Sequence, residues 1–397
     1  MRTLTVERAL RATRVQFLVL GIVAGTWGTH IPAVGARYGL TDIVLSVVLL
    51  SVAIGTVSAL FVAGPVIGRI GARATAATFG IAMGLSLCLL LHYPLLPVLA
   101  AAAFLLGAFM SLFDIAINTE GSELEALAGR PVMSNLHAMF SVGGMLGAAL
   151  TYGLLELHAA PAARLLAVGV GIATVALLVS RAMLETHAKA DADARHFAWP
   201  KGILLLIGLL VFAGMTAEGV LYDWSVLYLR DDVGLTASHA SLGYATFTAA
   251  MAVARFAGDA LRARFHERAV LRTSALVAAL AMAVLLLAGT RWAAFVGLAA
   301  VGAGLAPVAP ILFNAATRVP GVSRAAAIAS VTTIGYSGFL IGPPIIGSIA
   351  SQTSLATALW LVVVAAGVVS CGAGFVPQPR APTGGPASLS PPPARSR

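Results

Sequence analysis

Charge is what this 397-residue sequence has least of: Asp, Glu, Lys and Arg make up only 10% of it, while 59% is hydrophobic. A soluble domain carries about 25% charged residues, so the shortage excludes a chain that meets water over most of its surface. Cysteine is nearly absent. Cys88 and Cys371 both fall inside apolar runs, which excludes a disulfide framework as the organising device. No glycine-rich phosphate loop ending in Lys-Ser or Lys-Thr occurs, excluding ATP hydrolysis by this chain. Neither HExxH nor a Cys/His cluster is present, so no metal and no other cofactor is expected. GxSxG is missing too, and no enzymatic constellation takes its place.

What fills the chain is about a dozen apolar runs of roughly 18 to 22 residues, each long enough to cross a hydrocarbon core of about 30 Å as a helix. Strands would give a weaker, alternating pattern. The fold class expected is therefore an all-α polytopic membrane protein with twelve transmembrane helices. The spans are placed near 15–35, 43–64, 75–92, 97–119, 132–154, 163–183, 201–222, 238–257, 270–288, 293–315, 324–347 and 355–376. They divide six and six around the hydrophilic stretch ETHAKADADARHFAW. This gives an N-terminal segment 1–14, a bundle 15–184, a linker 185–200, a second bundle 201–376 and a tail 377–397. The tail is rich in proline and poor in apolar residues, and is expected to be disordered.

The net charge of +9 comes from 25 Lys and Arg against 16 Asp and Glu. All but four of the basic residues (Arg37, Arg164, Arg230 and Arg291) fall in alternate loops and the two termini. That is the positive-inside pattern, which puts both termini in the cytoplasm and the chain in the inner (plasma) membrane. The surplus encodes topology and not a surface for nucleic acid. Arg8, Arg11 and Arg14 precede an apolar run that is too long for a leader and has no clear cleavage site, so it is expected to stay as the first helix.

Polar residues inside the spans are the functional candidates, because a charge at the bilayer centre costs at least about 2.5 kcal/mol and needs a partner or a task. The stretch FDIAINTEGSELEALAGRPVMSNLHAMFSVGG, from Phe113 to Gly144, holds the first group. Asp114 and Asn118 lie at i and i+4 on one face, and Asn135 and His137 follow just inside the next run. Asp114 and His137 fall at similar depths, where a carboxylate and an imidazole exchange a proton; a plain helix-to-helix hydrogen bond is the structural alternative. Glu218 in MTAEGVLYDWSVLY is the second titratable candidate, with Tyr222 one turn on and Asp223 and Trp224 after it. Tyr and Trp there are either part of a site or an interfacial belt. Trp27 and His30 sit at a comparable depth in the first span, giving one polar and aromatic patch shared by both halves. Asn314 and Tyr336 complete the substrate-lining set. Arg255 and Asp259, i and i+4 near the end of the eighth span, are spaced for a salt bridge.

Sliding one half along the other aligns GLT at Gly39 to Thr41 with GLT at Gly234 to Thr236, and Asp114 to Asn118 with Pro310 to Asn314. Parallel six-helix halves around a cavity are a transporter architecture. With GPVIGRIGAR after the second span, this layout resembles the major facilitator superfamily, whose signature there is G-x-x-x-D-R-x-G-R-R. Gly64, Arg69, Gly71 and Arg73 match, while Gly68 and Ala72 depart from it. The acid, three residues and Asn of the fourth span, then His137 before Gly143 and Gly144, are similar to the branch that contains fucose/proton symporters. That branch's acid in the first span has no counterpart here. The resemblance implies two pseudo-symmetric bundles, with Arg69, Arg73, Arg255 and Asp259 at the cytoplasmic gate. The function expected is secondary active transport of a small polar solute by a monomer in the lipid bilayer, through alternating access and proton-coupled symport. Alternatives are a proton-coupled exporter of a small molecule or drug and, from another class, a non-transporting membrane sensor.

Overall fold

A computed structural model describes residues 2–92, 95–130, 132–185, 201–322 and 324–378. The linker from residue 186 and the tail from residue 379 lie outside the described residues. Every regular element among the described residues is helical. The first half comprises α1 (Arg2–Tyr38), α2 (Asp42–Leu89), α3 (Leu96–Ala128), α4 (Met133–Glu156) and α5 (Pro161–Ser180). The second comprises α6 (Ile203–Asp231), α7 (Ala237–Arg264), α8 (Glu267–Ala288), α9 (Arg291–Leu305), α10 (Val308–Ala316), α11 (Arg324–Gln352), α12 (Leu355–Ala358) and α13 (Trp360–Gly372). Ten helical stretches among the described residues are long and apolar enough to cross a membrane. α7 has the length, 28 residues, but too many polar side chains to join them, Arg255 among them. Outward-facing Phe61 (81% exposed), Leu287 (76%) and Val296 (68%) would be costly in water and suit hydrocarbon.

The helices run further than their apolar cores. α1 begins at Arg2 and takes in the basic N-terminal segment. The loop expected after the second span is reduced to a sharp break: α2 consists of two helical segments that meet at Gly71, whose φ of 82° and ψ of 160° lie outside the helical region. An L side chain there would be strained, which gives the signature glycine a backbone reason. α3 carries on through the glutamates to Ala128, and Gly129 closes it in the left-handed conformation with φ of 64°. Glu125 Oε2 then accepts from the backbone N–H groups of Val132 (2.8 Å) and Met133 (3.1 Å), satisfying donors at the start of α4. Fully buried Glu120 accepts from the Leu184 N–H at 2.6 Å and caps the end of the first half.

Small residues set how closely the helices approach. In the first half, Gly21 and Gly25 of α1 lie backbone to backbone against Gly143 and Gly144 of α4, and Gly147 of α4 lies against the backbone of Ile22 and Thr26. Between the halves, α4 packs on α7 and α2 on α11; Gly144 meets Thr248, and Gly347 meets Ser46 and the Asp42 carbonyl. A Cβ at Gly143 would run into the Leu18 carbonyl and Gly21 Cα. Gly143→Leu is therefore expected to lower stability by on the order of 1–3 kcal/mol or more, read as a fall in melting temperature on size exclusion in detergent. Gly171, with open space around it, is the control position.

Candidate functional site

The polar centre of the molecule is built on α6, α7 and α4. Glu218 and Tyr222 share a face of α6, one turn apart, and the Tyr222 hydroxyl donates to Glu218 Oε1 at 3.0 Å. From α7, Arg255 Nη2 reaches the same oxygen at 3.0 Å, with both side chains largely buried (15% and 13% exposed). Its Nη1 donates to Ser141 Oγ of α4 at 2.6 Å. One guanidinium thus neutralises the acid of its own half and grips the other half. A planar fork of donors suits this, and lysine lacks it. The Tyr222 ring lies 5.9 Å from Tyr244 and 5.6 Å from Phe247, both on α7. Tyr244 in turn donates to the Ala24 carbonyl of α1 at 3.4 Å. Gly28 permits this approach, since a Cβ there would strike the Tyr222 carbonyl and the Tyr244 ring.

Asp114 stands apart from that pair. Asn118 Nδ2 donates to its Oδ1 at 2.8 Å and to its backbone carbonyl at 2.9 Å. No cationic side chain bonds to it among the described residues. Tyr336 of α11, which lies in the other half, is within electrostatic range of Asp114; its ring stacks at 6.2 Å on Phe339. His137 does not hydrogen-bond to Asp114 among the described residues. It lies edge-on to Phe17 at 5.3 Å, in the field of Arg255. His137 thus lies within electrostatic range of Arg255, and Tyr336 within that of Asp114.

Other candidates go elsewhere. His30 is 1% exposed, and its Nδ1 donates to the Thr26 carbonyl at 2.8 Å. Two residues turn a helix by roughly 200°, so with Gly28 against α6 and α7, His30 faces into its own half, towards Arg164 of α5. A single patch shared across the halves is replaced by this arrangement. Trp27 is a core residue at 6% exposure. Asn135 Oδ1 accepts from Arg14 Nε at 2.9 Å. Asn314 is exposed and donates to Glu267 at 3.1 Å, beside the Arg318–Glu267 ion pair. Arg73 pairs with Glu185 at 3.2 Å on the surface, and Arg69 is exposed. Asp259 falls on α7, but its side chain lies outside the described residues. α6 continues to Asp231, well past residue 222, and buries Trp224 completely, so that ring is no interfacial anchor. Ser141 was not legible as a site residue: a serine in an apolar run carries no signal until its neighbour across the interface is known.

The two ends of the bundle differ. At one, Arg230 Nη1 donates to the Pro32 carbonyl at 3.3 Å, and Gly347 abuts α2, so the halves meet. Asp232 lies just past α6 there; burial pushes its carboxyl above the ordinary range, and Asp231 and Asp42 push the same way. At the end with the termini, contacts among the described residues hold each half to itself: Glu7 to Arg130 at 3.1 Å, Arg73 to Glu185, Glu267 to Arg318, and Arg268 to the Val376 carbonyl at 2.6 Å.

Residues 204–396 match the family model for the Major Facilitator Superfamily. An uncharacterized MFS-type transporter of Yersinia pestis is 34% identical over 88% of this chain and 91% of its own length. Among solved structures, a D-xylose-proton symporter superposes with a TM-score of 0.76 at 12% identity, covering 94% of this chain and 98% of its own. The fucose:proton symporter of E. coli gives 0.62 at 16% identity, covering 93% and 98%. At such identities the structures share the fold.

Proposed function

From membership of the major facilitator superfamily, to which this chain belongs as a membrane transporter and not an enzyme, we propose that it carries a small polar solute across the inner membrane by proton-coupled symport. Twelve crossings follow if the two helical segments of α2 on either side of Gly71 each cross once, and if α7 is counted with the ten apolar stretches. The bias of Lys and Arg supports cytoplasmic termini. On that orientation the halves meet at the periplasmic end, while at the cytoplasmic end the ion pairs among the described residues run within each half. The two solved relatives named for proton symport lend the coupling mode, and the chain is proposed to work as a monomer.

The observation that carries the proposal is Asp114: a carboxylate deep in a membrane helix that, among the described residues, is bonded by the Asn118 amide and by no cation, with Tyr336 of the opposite half within electrostatic range. An acid there without a cation is costly as an anion and cheap when protonated, so loading it with a proton removes the barrier to moving the halves past it. Asn118 fixes the carboxylate in either state, its amide donating to Oδ1. Glu218 differs in being already neutralised by Arg255. Its proposed part is to hold or release that guanidinium, and with it the grip on Ser141, as protons and solute arrive; His137 acts in the field of the same guanidinium. Tyr222, Tyr336 and Asn118 supply hydroxyl and amide contacts to the solute between the halves.

Proteoliposomes loaded with a pH-sensitive dye test this. Under an imposed gradient, the solute that is transported is expected to acidify the lumen when added outside. Alkalinisation on the same addition would mean antiport and would overturn the symport assignment.

A further inference from the structure

The start of α1 and the end of α5 form a groove that the transport cycle does not use. α1 is 37 residues long, about 55 Å at 1.5 Å per residue against a hydrocarbon core of about 30 Å. Its first turns therefore stand in the headgroup zone. Gln16 Nε2 donates to the Ala176 carbonyl at 3.0 Å and touches Met183 Sδ at 3.8 Å, fixing the two helices side by side. Just beyond that clasp lies a cavity of about 340 Å³, walled by Ala12, Val15, Val179 and Ala182, with Glu7, Arg8 and Arg11 at its mouth.

The charges at the mouth are unbalanced. Glu7 is engaged by Arg130 at 3.1 Å. Arg14, the next arginine along, is held by Asn135 at 2.9 Å. Arg8 and Arg11 sit at i and i+3 on one face, both exposed, and neither forms an ion pair or side-chain hydrogen bond among the described residues. Two free guanidiniums over an apolar cleft, at the depth of the headgroups, make a complementary seat for one kind of molecule.

We propose that this groove binds an anionic phospholipid, its phosphate between Arg8 and Arg11 and its glycerol and first methylenes along Val15 and Val179. Guanidiniums bind phosphate oxygens through short, charge-assisted bonds, and basic clefts between membrane helices are sites for acidic headgroups. A soluble phosphate would satisfy the arginines but leave the apolar wall without purpose. A zwitterionic lipid would fill the wall but bring no net charge.

Native mass spectrometry and thermal melting of the purified full chain in neutral detergent test the proposal, with phosphatidylglycerol, phosphatidylcholine of the same acyl chains, or inorganic phosphate added. Phosphatidylglycerol is expected to bind and raise the melting temperature, and the other two are expected to do neither. Arg8→Gln with Arg11→Gln is expected to weaken phosphatidylglycerol binding about tenfold or more, while Lys201→Gln with Arg272→Gln keeps it. Equal effects of the two lipids, reproduction of the shift by inorganic phosphate, or undiminished binding in the Arg8/Arg11 variant would each overturn it. Val179→Phe, which fills the groove and leaves both arginines, covers the case in which the double variant does not fold. It too is expected to lose the lipid, and retention would count against the site. None of these measurements involves transport, so they stand or fall separately from the symport proposal.

Discussion

Glu218→Leu is expected to cost the folded protein on the order of 3–5 kcal/mol, a large share of the roughly 5–15 kcal/mol that holds a typical protein together. The reason is the guanidinium left behind. Arg255 is 15% exposed, stays charged under all ordinary conditions, and would lose its carboxylate partner while keeping the Ser141 hydroxyl. Arg255→Met is expected to cost less, because the stranded carboxylate can take up a proton and keep its bond to Tyr222. Joining the two, Glu218→Leu with Arg255→Met, is expected to recover most of the loss, since a buried ion pair replaced by apolar groups of similar volume is often neutral or better. Melting temperatures of the four proteins, measured by size exclusion in detergent, decide this. Additive losses in the double variant would mean that the two side chains do not act as a pair.

Much of the helical scaffold was legible in the sequence because the bilayer imposes a simple demand, apolar length. α4, α8, and α9 taken with α10 fall close to the runs that predict them. The misplaced boundaries have physical causes. Helical backbone takes up almost the whole loop between the second and third spans, Pro65 included, and the break between the two segments of α2 falls at Gly71, which adopts a positive φ. The glutamates after Asn118 look like loop residues, but Glu120 and Glu125 are buried or turned back as caps on backbone N–H groups. Among site candidates, Asp114 with Asn118 was legible from i, i+4 spacing, a local relation. Glu218 with Arg255 and Ser141 was not, because those three are separated by 37 and 114 residues, and no periodicity reports which distant helices touch. For the same reason His30, alike in depth to Tyr222, turned out to face the other side of α1.

The largest functional effect is expected from Asp114→Asn. Asparagine has nearly the shape of protonated aspartate and can still bond to Asn118, so the helix keeps its packing. What it loses is the ability to release the proton. A one-proton symporter of a neutral solute converts one pH unit, about 1.4 kcal/mol, into about tenfold accumulation. With Asn at 114 that ratio is expected to fall to one, while exchange of labelled for unlabelled solute across the membrane persists. Glu218→Gln is expected to impair both together, because it disturbs Arg255 and the contact between halves. The measurement that bears most directly on the account is therefore solute-driven proton flux, with accumulation and exchange, in proteoliposomes of wild type and Asp114→Asn. Exchange retained with proton flux and accumulation abolished is the predicted result. Proton-driven accumulation at the wild-type level in Asp114→Asn would contradict it.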